Sequence, residues 1–187
     1  MNPGMDYVVL SQETEEKVKE ISRRIHRLQN WGSIASLRHL GVNAHGQVGA
    51  GYLSLKTLAA DYTPDESLAE ALWMTRKREE QMMACFLFPQ SINKEKITQL
   101  MSSCISTEIA EYVGSLCVSE HHELKNILKT WSESSVPFLQ IAALCAGARH
   151  LVVHKTDALI STDLFQEMTH KAYQDKYVRL VAARYRL

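Results

Sequence analysis

Two glutamates, Glu108 and Glu111, stand three residues apart in the segment Ser106-Thr107-Glu108-Ile109-Ala110-Glu111. On a helix that spacing puts both carboxylates on one face, a turn apart. The pair is either a chemical site or a solvated helix face near the positive helix end, where acids are favoured. Arginines gather in three places: Arg23, Arg24 and Arg27; Arg76 and Arg78 around Lys77; and Arg179, Arg184 and Arg186. Brought to one side of the fold they would form a phosphate-binding footprint; left apart they are ordinary solvated surface. Arg78 beside Glu79 has a structural alternative, since charges at a helix start also tie neighbouring helices together. His150 and His154 have the four-residue spacing of helical zinc ligands, but no Glu follows His150 and no third ligand is evident. His121 and His122 are adjacent and are expected to point apart on a helix. No glycine-rich phosphate loop and no nucleophile elbow is present. No metal or cofactor is expected.

The chain that must position these residues has 187 of them, 45% hydrophobic and 22% charged, which is ordinary for a globular protein and long enough for a core without staples. It is expected to form one domain over residues 1–187. Twenty-one basic residues balance twenty-one acidic ones, a total that argues against a dedicated nucleic-acid binder, although a one-sided patch still binds phosphate. No apolar run reaches the length of a membrane span, and residues 1–10 lack the basic and apolar regions of a signal peptide, so a cytoplasmic protein without a membrane partner is expected. Cys85, Cys104, Cys117 and Cys145 show no paired spacing, sit in apolar helical contexts and read as reduced core thiols.

Apolar residues recur at helical spacing along most of the chain. A first helix is expected from a cap at Ser11 or Thr14 to about Trp31, with Val18, Ile21, Ile25 and Leu28 on one face. The glycines between Asn30 and Gly51 suggest one short helix and a loop. Further helices follow over 52–62, from Thr63-Pro64-Asp65-Glu66 with the proline at the first helical position, over 78–88, from Asn93 to near Ser103, and from a cap at Ser106. The set closes with 122–131, 136–153, 162–173 and 176–185. With no convincing strand, the fold class is all-α, and short helices joined by short turns stack naturally into an α-solenoid. Trp73 closes the Leu68, Leu72 stripe of its helix and is expected in the core.

Three segments resemble the DNA alkylation repair enzyme family, the HEAT-like monofunctional glycosylases that remove alkylated purines. The first runs through Gly41-Val42, Leu58-Ala59, Leu68-Ala69-Glu70-Ala71-Leu72-Trp73 and Arg78-Glu79 to Ala84. The second is Ser106-Thr107-Glu108-Ile109-Ala110-Glu111, similar to the family's Trp-Trp-Asp-x-x-Asp. The third is Phe138-Leu139-Gln140-Ile141-Ala142-Ala143, similar to Trp-Leu-x-Arg-x-Ala. The match covers roughly residues 40–150, well on scaffold positions and poorly on the functional ones. Ser106 and Thr107 replace the tryptophans, Glu108 and Glu111 the aspartates, and Ile141 the arginine.

The resemblance implies a HEAT-like repeat α-solenoid, a right-handed superhelix with duplex DNA on its concave face, and hydrolysis of the N-glycosidic bond of an N-alkylated purine. The damaged base is already a good leaving group, so a carboxylate that steadies positive charge on the sugar and positions water is most of what the site supplies. Glu111 takes that role, with Glu108 behind it. Thr107 offers no aromatic face; Tyr112, Trp131 or Phe138 could stand in, or belong to the core. Phosphate contacts fall to Arg23, Arg27, Arg76 and Arg78, giving weak, salt-dependent DNA binding. With the site substituted, activity is expected to be weakened or lost, and the alternative is a non-catalytic helical-repeat module that binds nucleic acid or a protein through the same concavity.

Overall fold

Side-chain caps begin most of the helices. Ser11 accepts from the Thr14 N–H at 3.1 Å and opens α1 (Gln12–Arg27). Asp65 accepts from Leu68 N–H at 2.9 Å before α4 (Glu66–Met74), Asn93 from Lys96 N–H at 3.0 Å before α6 (Lys94–Leu100), and Ser106 from Ile109 N–H at 3.3 Å before α7 (Thr107–Tyr112). Each such bond satisfies one of the donors a helix start leaves open. The computed structural model describes residues 11–39 and 46–186, and within them the chain is all-helical with no strand. The remaining elements are α2 (Trp31–His39), α3 (Tyr52–Ala59), α5 (Arg78–Leu87), α8 (Leu124–Ser132), α9 (Pro137–His154), α10 (Thr162–Thr169) and α11 (Lys176–Arg184). A 3₁₀ turn, Met101–Ser103, extends α6, and a π-helical segment, Val113–Val118, continues α7.

Several boundaries differ from the sequence expectation: the helices expected over 52–62 and 162–173 already end at Ala59 and Thr169, and three others differ at their starts or ends as follows. The first helix ends at Arg27 rather than near Trp31, because Leu28 N–H turns back to Ile25 O and Asn30 caps a new helix by accepting from Ser33 N–H at 3.0 Å. Trp31 therefore starts α2, and it is 72% exposed. Pro64 lies outside α4, since Asp65 rather than Thr63 is the cap. His121 and His122 precede α8 instead of riding on it, and their rings stack 4.4 Å apart rather than diverging. The expected Gly41-Val42 turn and the segment 1–10 lie outside the described residues.

Consecutive helices pack on one another, α4 on α5 and α8 on α9, as an α-solenoid requires. The 18-residue α9 is the hub, touching α7 and its π-helical continuation, α8, α10 and α11. It is apolar nearly all round, so its middle is buried, at Leu139 and from Ile141 to Gly147. At Gly114 the backbones meet: a Cβ there would lie 2.2 Å from the Ala142 carbonyl oxygen, so only glycine lets α9 approach this closely. The buried apolar residues form one continuous core from Ile21 to Ala182, with Trp73 and Trp131 its largest fully buried side chains. Among the described residues no helix is long and apolar enough to cross a membrane.

All four cysteines are free and buried. Burial pushes the Cys104 and Cys145 thiols up to about 12 and the Cys85 thiol well above its ordinary value. At pH 8 a thiol near 12 is thiolate in only about one molecule in ten thousand. The folded protein should therefore leave Ellman's reagent almost untouched over the time in which denatured protein releases four equivalents. Fast release from the native state would show that the thiols are accessible.

Candidate functional site around Glu111

Between α7, α9 and the end of α11 lies an open cleft of about 330 Å³ whose lining includes Glu108, Glu111, Tyr112, Arg149, Val152 and Tyr185. The Ser106 cap fixes the start of α7, and one turn of helix then sets Glu108 and Glu111 on the cleft together. The π-helical segment that follows is a form often found at functional sites, because its extra residue re-aims the side chains around it.

The two carboxylates are held very differently. Glu108 receives a two-pronged bond from Arg78, Nε to Oε2 at 2.8 Å and Nη2 to Oε1 at 2.7 Å. The same guanidinium donates to Glu79 Oε1 at 2.8 Å and to the Ala50 carbonyl at 3.1 Å. Glu79 is 0% exposed and also accepts the Gly49 N–H at 2.9 Å, while its Oε2 has no hydrogen-bond partner. Burial works against the charge on Arg78, but the bonds and charges of Glu108 and Glu79 outweigh it and hold the guanidinium above its ordinary pKa. This network ties α5, α7 and the segment before α3 into one unit. Glu111, by contrast, takes a single 2.9 Å bond from Nη1 of Arg184, the last residue of α11.

Aromatic surface is present on the same wall. Tyr112 stacks on Tyr52 with ring centroids 5.4 Å apart and planes at 19°, and Tyr52 leans on Phe86 at 5.3 Å. Burial raises the pKa of the Tyr112 hydroxyl, helped by the nearby Glu108 charge, so it stays a neutral donor. Tyr185 lies across the cleft with its hydroxyl 3.6 Å from Cys145 Sγ, and burial likewise raises its pKa.

Of the residues singled out from sequence, Glu108, Glu111, Tyr112 and Arg78 are brought together. Thr107 is the half-buried first residue of α7. Trp131 is 1% exposed and gives its indole N–H to Thr98 Oγ1 at 2.9 Å, within the core. Phe138 packs half-buried against the core in the first turn of α9, and Ile141 is buried. Arg23 and Arg27 are exposed on α1, where Arg23 caps the Lys19 carbonyl, and Arg76 is exposed at φ 54° in the turn before α5. Arg78 is 5% exposed with four hydrogen bonds made, which answers to its structural alternative rather than to an open phosphate contact.

The sequence reading missed Arg149 and Tyr185. Arg149 carried a signal, as the single Asp, Glu, Lys or Arg of the mostly apolar α9. Tyr185 carried none, because its place depends on how α11 docks.

A third potential metal ligand does exist beside His150 and His154, contrary to expectation: Glu120 comes within reach of both, 2.6 Å from His154 Nε2. Yet both His150 nitrogens are engaged, Nδ1 with Ser119 O at 2.7 Å and Nε2 with the Leu159 N–H at 2.9 Å. His121 is used the same way, with Ile92 O and Glu123 N–H. A buried imidazole with both nitrogens committed has no lone pair for a metal. These histidines are structural.

A sequence model of the DNA alkylation repair enzyme family matches residues 8–176. The chain belongs to the DNA alkylation repair enzyme family. No curated protein and no solved structure matches it. Membership carries a role in DNA repair, and it fits the scaffold positions Leu68, Ala69, Leu72 and Trp73, which are all buried. Ser106 is the N-cap of α7.

Proposed function

We propose that the cleft at Glu111 receives an N-alkylated purine nucleotide of duplex DNA, and that this family member removes the base weakly or not at all. The supporting observation is that Glu111 and the Tyr112 ring share one open cleft in a chain of this family. In the proposed step the bond between the sugar C1′ and the cationic base breaks, its electrons leave with the base, and water adds at C1′ and loses a proton. Glu111 steadies the positive charge on the sugar as it develops. Tyr112 offers a flat surface to sugar or base, while Arg149, Arg23, Arg27 and Arg76 face the backbone phosphates. Binding to duplex is weak and salt-dependent, in keeping with a neutral chain. The helices are taken as HEAT-like repeats in a single domain of a cytoplasmic protein.

A second reading, a non-catalytic module that binds through the same concavity, is favoured by one observation. Both cleft carboxylates already face a guanidinium, Glu108 that of Arg78 and Glu111 that of Arg184. A carboxylate neutralised by a cation stabilises a second cation poorly.

One assay separates the readings: release of N3- or N7-methylpurine from alkylated duplex DNA, beside a family enzyme with the full Trp-Trp-Asp-x-x-Asp motif. Release is expected to be absent or much slower than in that enzyme. Any residual release should vanish in Glu111→Gln while the melting temperature stays close to wild type. Release at a comparable rate would sink the argument from substitution, and release unchanged in Glu111→Gln would sink the role of this helix. Slow release that depends on Glu111 supports the glycosylase reading, and DNA binding with no release at all supports the second.

A further inference from the structure

The two ion pairs on the cleft differ in what it takes to break them. The Arg78 guanidinium is buried and bonded to Glu108 through both carboxylate oxygens, and it cannot leave without stranding Glu79. The Arg184 side chain is 52% exposed, that of Glu111 is 29% exposed, and one hydrogen bond joins them across 73 residues of sequence. A pair of this exposed kind is held by a factor of only about two to five. Tyr185, next to Arg184, lines the cleft itself, and Arg149 stands exposed on the facing wall with no hydrogen bond or ion pair among the described residues. A polyanion at the cleft mouth therefore meets one open guanidinium and one that is only loosely held.

We propose that Arg184 is a phosphodiester-binding residue held in reserve by Glu111: a nucleic-acid backbone docking at the cleft draws the guanidinium from the carboxylate to a phosphate. The proposal rests on the cleft being a nucleotide site. A bidentate phosphate contact replaces a single carboxylate bond, and release of counterions from the duplex adds to it. Glu111 is then unpaired only while nucleic acid is bound. The arrangement couples occupancy of the backbone site to the charge state of the cleft, and it explains how a carboxylate neutralised in the free protein could still face a sugar as an anion.

The test is binding of a fluorescently labelled, undamaged duplex of about 20 base pairs, followed by anisotropy over a range of salt concentrations. Glu111→Gln, Arg184→Gln, Arg184→Lys and the Glu111→Gln/Arg184→Gln double variant are compared with wild type. Glu111→Gln should tighten binding about two- to fivefold, because Arg184 no longer has to be withdrawn. Arg184→Gln should weaken binding and lower the slope of log K against log salt by about one phosphate's worth, and Arg184→Lys should keep the slope. The gain from Glu111→Gln should disappear in the Arg184→Gln background. A gain that persists there is simple removal of a negative charge and overturns the proposal while leaving the cleft as a nucleotide site. An unchanged salt slope in Arg184→Gln overturns it as well. Failure of the wild-type protein to bind duplex even at low salt would overturn the DNA reading of the cleft and the proposal together.

Discussion

Trp73→Ala should destabilise the fold by about 3–5 kcal/mol, the usual range for deleting a fully buried large aromatic. Trp73 is 1% exposed on α4, packs its ring 6.2 Å from that of Phe88, and donates its indole N–H to both Leu100 O and Ser103 Oγ at 2.9 Å. Truncation removes those two bonds, but the acceptors are not orphaned, because Ser103 Oγ donates independently to Leu100 O. The cost is therefore mainly lost apolar contact and the cavity left between α4 and the turn after α6. For a chain of this size the melting temperature should fall by roughly 6–20 °C. A variant that melts with wild type would mean that the indole is not part of the core.

The second large effect is expected at Arg78. Arg78→Met removes the cation that faces Glu79, which is 0% exposed, and leaves that carboxylate with the Gly49 N–H alone. Breaking one side of a buried pair costs about 3–5 kcal/mol, because the remaining charge stays buried without compensation. The double variant Arg78→Met/Glu79→Leu should recover much of that loss, since the penalty lies in the stranded charge rather than in the missing bond. Denaturant unfolding of the two variants and wild type gives the comparison directly. If Arg78 instead served chiefly as a phosphate contact, Arg78→Met would lower DNA affinity and leave the unfolding midpoint where it was.

The helices were largely legible in the sequence because their signals are local. Ser11, Asn93 and Ser106 are short polar side chains just ahead of apolar periodic runs, and all three are caps in the structure. Asn30 is a residue of the same type, but its cap interrupts a stretch whose apolar spacing continues through Leu28 to Trp31, so the break between α1 and α2 was hidden by a pattern that ran across it. On the candidate site, the Glu108 and Glu111 face was legible because both residues lie in one turn. Their partners were not. Arg78 lies 30 residues before Glu108 and Arg184 lies 73 after Glu111, and which charges meet across such separations depends on packing. The histidines failed in the same way: Glu120 reaches His150 and His154 from another part of the chain, and the hydrogen bonds that occupy His150 come from Ser119 and Leu159.

The backbone contact at Gly114 fixes more than a packing distance. With no side chain between them, the π-helical segment and α9 meet like two planks screwed together at Ala142, and neither can be levered from the other without breaking the joint. The third side of the Glu111 cleft, the end of α11, is pinned as well: Gln166 donates to the Tyr185 carbonyl at 3.0 Å, Arg186 to the Thr169 carbonyl at 2.9 Å, and Val178, Val181 and Ala182 are buried in the core. The walls of the cleft are therefore rigid, and any allowance for a bulkier guest has to come from the side chains at its mouth, the half-exposed Arg184 first among them.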